Sequence, residues 1–433
     1  MSNNNINNNL NVLIFPSGSG VSKEIFDALK YIRWINIYGI DADKDNFSYY
    51  QFQNFISDAP FIKDEESTLS YLKDLIESKN IHCIFPAMDN IIYFLKKYEN
   101  VLGIKIISSE LTTCDICMSK SKTYELLSDI IQVPKVFSPK DDIIFPVFIK
   151  PDVGYGSRNS YKIDNDCELN RQLEKHENMI VCEYLPGNEY TVDCFTSKKN
   201  GLIFCEARIR KKTLNGMSIL TETVNIDGIK EMAEIINMKI NFIGAWFFQV
   251  KYNQHNTLTL LEVAPRIPGA MSIHRIKGIN FPLLSIYEHF NYNIDNLLIN
   301  NYNAKCYKYF ENNYILDFDY KTVYVDLDDT IIIKNKVNTQ LMKYLYQCIN
   351  KNKEIVLITR NNNPLNKLNN YRISDKLFDR IIVCAKDELK SNYILDDNAI
   401  FIDDSYMERS DVYNKNINVF NCDMIECLID DKL

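Results

Sequence analysis

The chain has 433 residues, 46% of them hydrophobic and 24% charged, and a net charge of −8. That length exceeds what one hydrophobic core organises, so two or three domains are expected. The acidic balance excludes the basic surface a nucleic-acid protein needs, and no apolar run approaches the roughly 18–20 residues that span a bilayer.

The first residues, "MSNNNINNNL", lack the regions of a signal peptide and read as a disordered Asn-rich tail over residues 1–9. Twelve cysteines stand in no framework, which suits reduced thiols in a cytoplasm. Cys114 and Cys117 form a lone C-x-x-C with only His82 nearby in the sequence, so buried structural thiols are expected rather than a zinc site.

"NVLIF", "PSGSG" and "KEIFDALKYI" read as strand, turn and helix. The signal recurs through "WINIYGID", "STLSYLKDLIESKN" and "IHCIFPAMD", which predicts a parallel α/β domain over residues 10–115. "GSG" is expected to be a tight turn, with a phosphate cradle as the alternative. From residue 116 to 300 the texture is α+β. A helix at "SKSKTYELLSDI" precedes alternating strands such as "EYTVDCFTS", "LIFCEARIR", "GAWFFQVKYN" and "TLTLLEVAP", with a helix at "IKEMAEIINMK". Residues 301–317, rich in Asn and Tyr, read as a connector, and αβ alternation resumes over 318–433.

Within residues 116–300, Lys150 ends the strand "FPVFIK" before Gly154, Gly156 and Ser157. A lysine beside such a loop can neutralise nucleotide phosphates. Glu183 in "CEYLPGNEYTVD" stands next to a backbone segment that could read an adenine edge, with Glu189 spaced for ribose hydroxyls. Gln249, Glu262 and Arg266 follow on neighbouring strands, where an amide oxygen and a carboxylate suit Mg²⁺ and the arginine suits a transferred group.

This ordered set resembles the ATP-grasp superfamily, in its carbamoyl-phosphate-synthase-like, biotin-carboxylase-like branch, over residues 10–300. The resemblance implies nucleotide contacts from Lys120 and Lys150, with Lys122 the alternative to Lys120, and a mobile loop from Gly154 to Ser157. It implies an adenine hinge at Glu183, Tyr184 and Leu185, a ribose ligand at Glu189, and magnesium at Gln249 and Glu262. Where many members read E-x-N-P-R, this chain has Glu262-Val-Ala264-Pro-Arg266, and Ala264 cannot ligate. The implied chemistry activates a carboxylate as an acyl phosphate for attack by an amine or thiol. Arg208 and Arg210, which alternation puts on one face, are candidates for gripping the acid, as are Arg266, His274 and Arg275.

In the last stretch, "YVDLDDT" sets Asp326 and Asp328 just past an apolar strand. In a phosphoaspartyl mechanism the first carboxylate attacks phosphorus and the second protonates the leaving oxygen. Thr359 ends the strand "VLITR", Lys390 lies in "ELKSNYI", and "IFIDDS" ends a strand at Asp403 and Asp404. These four motifs resemble the haloacid dehalogenase-like phosphatases over residues 318–433. Asp403 and Asp404 are placed to hold Mg²⁺, with mere support of Asp403 the alternative for Asp404; the resemblance implies Mg²⁺ (or Mn²⁺) held by Asp326, Asp328 and Asp403, and charge screening by Lys390, with Lys386 the alternative. The short span from Asp326 to Thr359 leaves room for one helix, whose Leu341, Leu345, Cys348 and Ile349 read as core, and for no large cap.

The expectation is a bifunctional cytoplasmic enzyme, an ATP-dependent carboxylate–amine ligase joined to a phosphatase. Its substrates would be a small-molecule acid, an amine and a phosphomonoester, with neither nucleic acid nor membrane as partner, and a homodimer is compatible with the resemblance. A small-molecule kinase with a phosphatase domain and a non-catalytic nucleotide-binding scaffold are the alternatives.

Overall fold

Val12, Leu13, Ile14 and Phe15 are buried in succession, as a strand covered on both faces requires. Val12 and Ile14 pack into one apolar cluster, Leu13 and Phe15 into another. In the computed structural model, residues 9–430 are described except 139–140, 155–157, 215, 295, 310, 312–313 and 315. The chain divides into two units, Met1–Phe310 and Glu311–Lys432.

The first unit opens with five parallel strands: β1 (Leu10–Phe15), β2 (Ile35–Ile40), β3 (Asn54–Ile56), β4 (Cys83–Pro86) and β5 (Lys105–Ile106). They lie in the order β3-β2-β1-β4-β5. The "GSG" segment is a structural turn. Ser19 caps the helix Gly20–Leu29 by accepting from the Ser22 amide, and the Gly18 amide donates to the Asp41 carboxylate at 2.7 Å. An acid already fills the place a phosphate would take.

Next come β6 (Val136–Phe137), β7 (Val147–Pro151), β8 (Tyr161–Ile163) and β9 (Met179–Glu183), an antiparallel sheet in the order β6-β9-β7-β8. A six-stranded antiparallel sheet follows. It comprises β10 (Glu189–Ser197), β11 (Gly201–Leu214), β12 (Met217–Val224), β13 (Gly244–Tyr252), β14 (Leu258–Ala264) and β15 (Lys305–Tyr307), ordered β14-β13-β10-β11-β12-β15. Thus the Asn- and Tyr-rich segment expected as a connector contributes an edge strand, with Thr221 opposite Cys306.

Alternation gives this sheet two unlike faces. Val192, Cys194, Trp246, Phe248 and Val250 turn to one side and pack with Met232, Ala233 and Ile236 of the helix Ile229–Ile240. The other side carries Thr191, Asp193, Arg208 and Gln249, set by the pairings Thr191–Arg208 and Thr191–Gln249. The charged pairs between β10 and β11 lie on that face.

In the second unit β16 (Thr322–Val325) is buried on both faces and is followed by the hairpin β17 (Ile332–Ile333) and β18 (Lys336–Val337). After the helix Thr339–Asn350 come β19 (Glu354–Thr359), β20 (Arg380–Val383), β21 (Ala399–Ile402) and β22 (Asn418–Phe420). The five longer-range strands run parallel in the order β20-β19-β16-β21-β22. Leu341, Leu345 and Cys348 of the helix are buried as expected; Ile349 is exposed, because it falls off the apolar stripe. Among the described residues no helix is long and apolar enough to cross a membrane.

Candidate functional site

In the first unit Asp89, Lys120, Gly154, Glu262 and Arg266 line one cleft. Lys120 is the first residue of a helix capped by Ser119, and its ammonium donates to the carbonyls of Asp152 (3.3 Å) and Gly154 (3.2 Å). Burial, then the Lys150 charge, holds its pKa below the usual lysine value against the pull of Glu262. Lys122 instead pairs with Asp115 on the surface, so of the two candidates Lys120 faces the cleft.

Lys150 is buried and donates to the Tyr124 hydroxyl at 2.7 Å and the Leu261 carbonyl at 3.3 Å. A bulge explains that carbonyl. Gln249 pairs with Glu262 but Val250 pairs with Leu260, so Leu261 is the extra residue, and its carbonyl receives Lys150 and Tyr124. The same bulge keeps Leu260 in the core while turning Glu262 to the polar face.

On that face the Gln249 amide, oriented to satisfy both neighbours, donates to Glu262 at 3.2 Å and accepts from Arg210 at 2.9 Å. Arg210 also donates to Glu189 and to the Gly216 carbonyl. Glu189, expected at a ribose, therefore faces Arg210, its neighbour across the ladder. Arg208 is buried and donates to both oxygens of Asp193, at 2.6 and 3.2 Å. Both arginines do share a face, but neither is free as a substrate grip: each finds a cross-strand acid that the sequence order conceals.

His274 is fully buried in the same network, its Nε2 2.9 Å from Asp193 and its Nδ1 3.3 Å from Glu206, which also takes the Lys277 ammonium at 2.6 Å. Both contacts are ionic in geometry, since neither ring nitrogen finds a hydrogen-bond partner. Burial pushes its pKa down, but the two carboxylates prevail and raise it. Arg275 is half-buried, and its Nε has no partner among the described residues.

Arg266 reaches Asp89 through two bonds, 2.6 and 3.3 Å, and its guanidinium lies 5.0 Å from the Phe247 ring centre. Asp89, in the first turn of the helix Asp89–Lys97, was not anticipated. Its only sequence signal is a carboxylate just past a strand, in "PAMD". Cys114 and Cys117 are free thiols in the cleft wall, and burial pushes both pKa values up. His82 is elsewhere, accepting from the Asn11 amide at 3.0 Å.

At the expected adenine hinge the Glu183 amide donates to the Lys135 carbonyl at 2.8 Å, Leu185 is buried, and Lys162 lies 5.3 Å from the Tyr184 ring centre. Gly187 packs here so closely that a Cβ would meet the Tyr252 carbonyl at 2.6 Å. Gly154 borders the cleft, whereas Gly156 and Ser157 lie outside the described residues. A larger hollow of about 420 Å³ adjoins Gly154, lined by Arg158, Lys175 and His176, and holds none of the other expected nucleotide contacts.

In the second unit Asp326 follows β16, Thr359 ends β19 and Asp403 follows β21, so the carboxyl ends of three adjacent parallel strands meet. The strand order reverses there, and that is where such sheets bind ligands. Lys390, buried, donates to Asp326 and Asp403 at 2.7 Å each. One ammonium between two buried carboxylates leaves an excess negative charge. Burial, then the Asp403 charge, pushes the Asp326 pKa up to about 7 against the pull of Lys390, and burial raises that of Asp403. Lys386, the alternative to Lys390, is exposed.

Asp326, Asp403 and Asp404 each offer an oxygen within 4.8 Å of the others, and this is the one metal-capable acidic group among the described residues. Three hard oxygen donors with surplus negative charge fit Mg²⁺ or Mn²⁺. Asp328, expected as a ligand, is not in that group. Its carboxylate is held by Lys367 and by Asn361, which donates at 3.1 Å. Asp404, expected beside Asp403, is in it, steadied by Thr330, whose hydroxyl accepts from the Asp404 amide at 3.0 Å. Thr359 is buried, and its hydroxyl accepts from the Asn361 amide at 3.1 Å.

Residues 175–298 match the family described as "ATP-grasp in the biosynthetic pathway with Ter operon". A D-alanine–D-alanine ligase of Thermotoga petrophila is 25% identical over 154 residues, 33% of this chain and 51% of the ligase. The chain thus spans about half the length of that relative. Among solved structures, the biotin carboxylase domain dimer of the Hydrogenobacter thermophilus 2-oxoglutarate carboxylase, in complex with MgADP, is similar with a TM-score of 0.58 at 14% identity. That match covers 68% of this chain and 73% of the other. An L-amino acid ligase from Bacillus licheniformis follows at a TM-score of 0.54 and 16% identity, covering 65% and 74%. The chain accordingly shares with these structures a mixed α/β fold with parallel sheets, and within it residues 175–298 match an ATP-grasp family; a second unit is built on its own parallel sheet.

Proposed function

We propose that the chain is a bifunctional enzyme: an ATP-dependent carboxylate–amine (or thiol) ligase working through an acyl phosphate, and a Mg²⁺-dependent phosphoaspartyl phosphatase of haloacid dehalogenase-like type. The ligase reading rests on one observation. Lys120, Glu262 and Arg266 line a single cleft, and Lys150 reaches the carbonyl next to Glu262. The likeness to D-alanine–D-alanine ligases and to an L-amino acid ligase supports the same chemistry.

In this reading Lys120 and Lys150 take the nucleotide phosphates beside Gly154, and Glu183 to Leu185 border the adenine. Glu262 would hold the metal, and Gln249 would join it only by turning its oxygen from Arg210 toward Glu262; the metal would supply charge neutralisation for the moving phosphoryl group. A substrate carboxylate oxygen attacks the γ-phosphorus and ADP leaves. The amine then attacks the acyl carbon and phosphate departs, with Arg266 stabilising the charge that develops on it.

For the second unit the carrying observation is Lys390 between Asp326 and Asp403. An Asp326 oxygen attacks phosphorus, forming an aspartyl phosphate, while Asp328 gives its proton to the departing alcohol oxygen. Asp328 then takes a proton from the water that hydrolyses the intermediate. Thr359 and Lys390 hold the phosphoryl oxygens meanwhile.

The test is a screen of acid and amine pairs with MgATP on the full chain, reading ADP and product mass, alongside phosphate release from phosphomonoesters. ADP release that needs both partners and gives an amide is the expected result. A phosphorylated product without amide would replace the ligase with a kinase, and phosphate release unchanged in Asp326→Asn would end the phosphoaspartyl assignment.

A further inference from the structure

The carboxylates of the second unit divide into two sides. On one, Asp326 and Asp403 share the buried Lys390, which gives each of them one hydrogen and keeps a third. On the other, Asp328 is half-exposed and meets Lys367 and Asn361. Lys367 sits on the short helix Pro364–Asn370 that follows β19, with 29% of its side chain exposed.

Other cations near the centre are committed within the protein. Arg360 donates to Glu408 and to the carbonyls of Ala385, Lys386 and Glu388. Arg409 donates to the Asp403 carbonyl at 2.6 Å. Among the described residues Lys367 is held only by a half-exposed carboxylate, and a flexible lysine in such a pair exchanges partners at small cost.

We infer that Lys367 is a specificity residue, and that the natural phosphomonoester carries a second anionic group, a carboxylate, on its alcohol half. This rests on the phosphatase reading above, in which Asp328 serves the leaving oxygen. The phosphoryl group is answered by Lys390 on the Asp326 side, so a cation on the Asp328 side meets the alcohol. An ammonium there, with the Asn361 amide beside it, favours an anion over a neutral polyol. A carboxylate on the ester is also the group the ligase half would activate, so one phosphorylated acid or its derivative satisfies both chemistries.

The experiment compares 3-phosphoglycerate with glycerol 3-phosphate on the full chain in Mg²⁺. The two differ only in a carboxylate against a hydroxymethyl group at the far end. Wild type should favour phosphoglycerate in kcat/KM by about ten-fold or more, as one charge-assisted contact supplies. In Lys367→Gln the ratio should fall to within about three-fold, carried by KM for phosphoglycerate, while Lys367→Arg keeps most of it. Because the ratio is read within each variant, a loss of folded enzyme cancels. Equal rates for the two esters in wild type, or a preference that survives in Lys367→Gln, would overturn the inference and leave the phosphatase reading intact. Absence of any Asp326-dependent release from these esters or from p-nitrophenyl phosphate would overturn both.

Discussion

Lys390→Met removes the positive charge that Asp326 and Asp403 share, and leaves two buried carboxylates without their ammonium. Breaking a buried pair by deleting one partner costs about 3–5 kcal/mol, since the charge left behind is uncompensated. For a unit the size of Glu311–Lys432, each kcal/mol moves the midpoint by about 3–4 °C, so the drop should be about 10–20 °C. The assay is calorimetry of the full chain in EDTA, following the transition that Asp326 variants also shift. Mg²⁺ should recover part of the loss, because a divalent cation at Asp326, Asp403 and Asp404 supplies the missing charge. Lys386→Met is the control, exposed and expected within about 0.5 kcal/mol of wild type. A drop below about 3 °C in EDTA, or one of equal size with and without Mg²⁺, would refute the charge argument.

In the first unit, Lys150→Met should weaken ATP binding about ten-fold or more by isothermal titration, since its ammonium stands over the bulge carbonyl of Leu261; unchanged affinity would remove Lys150 from the nucleotide site. His274 has a raised folded pKa, so its stabilising contribution is complete below its ordinary value of 6.5 and fades as pH rises through the folded value. The urea midpoint should therefore fall as pH rises above about 6.5, and His274→Gln should flatten that slope. Arg275→Gln should raise KM for the acid substrate about ten-fold while leaving KM for ATP in place, read from ADP release with the identified acid.

What the sequence could reveal follows from range. Strand ends and the residues just past them are local, so Asp326, Thr359 and Asp403 were legible as apolar runs ending in polar groups. Their convergence follows once the sheet is parallel. Contacts set by another element were not legible. The Asp89–Arg266 pair joins residues 177 apart, and the Lys150–Tyr124 bond depends on two elements meeting. The bulge at Leu261 left no mark in "TLTLLEVAP", because two adjacent leucines fit either register. Asp328 was read from the spacing in "DLDDT", which holds no word of Lys367 on a later helix.

The arginines expected to grip an acid raise a question of capacity, since Arg208, Arg210 and Arg266 are each held by a carboxylate of the protein. A guanidinium has five donors in a rigid plane. Arg208 gives Asp193 its Nε and one Nη hydrogen, and Arg266 does the same for Asp89. That fork uses one edge of the plane and fixes its orientation, while the rest of the Arg208 guanidinium keeps its hydrogens for another acceptor; Arg266 gives one of its remaining hydrogens to the Ile267 carbonyl at 3.3 Å and keeps the others. An internal acid thus orients such an arginine at the cost of some of its net charge, which favours a ligand that brings its own cation. A nucleotide phosphate arriving with Mg²⁺ meets that condition better than a bare carboxylate does. Arg275, whose Nε finds no partner among the described residues, is by the same reasoning the arginine of the four best suited to a bare carboxylate.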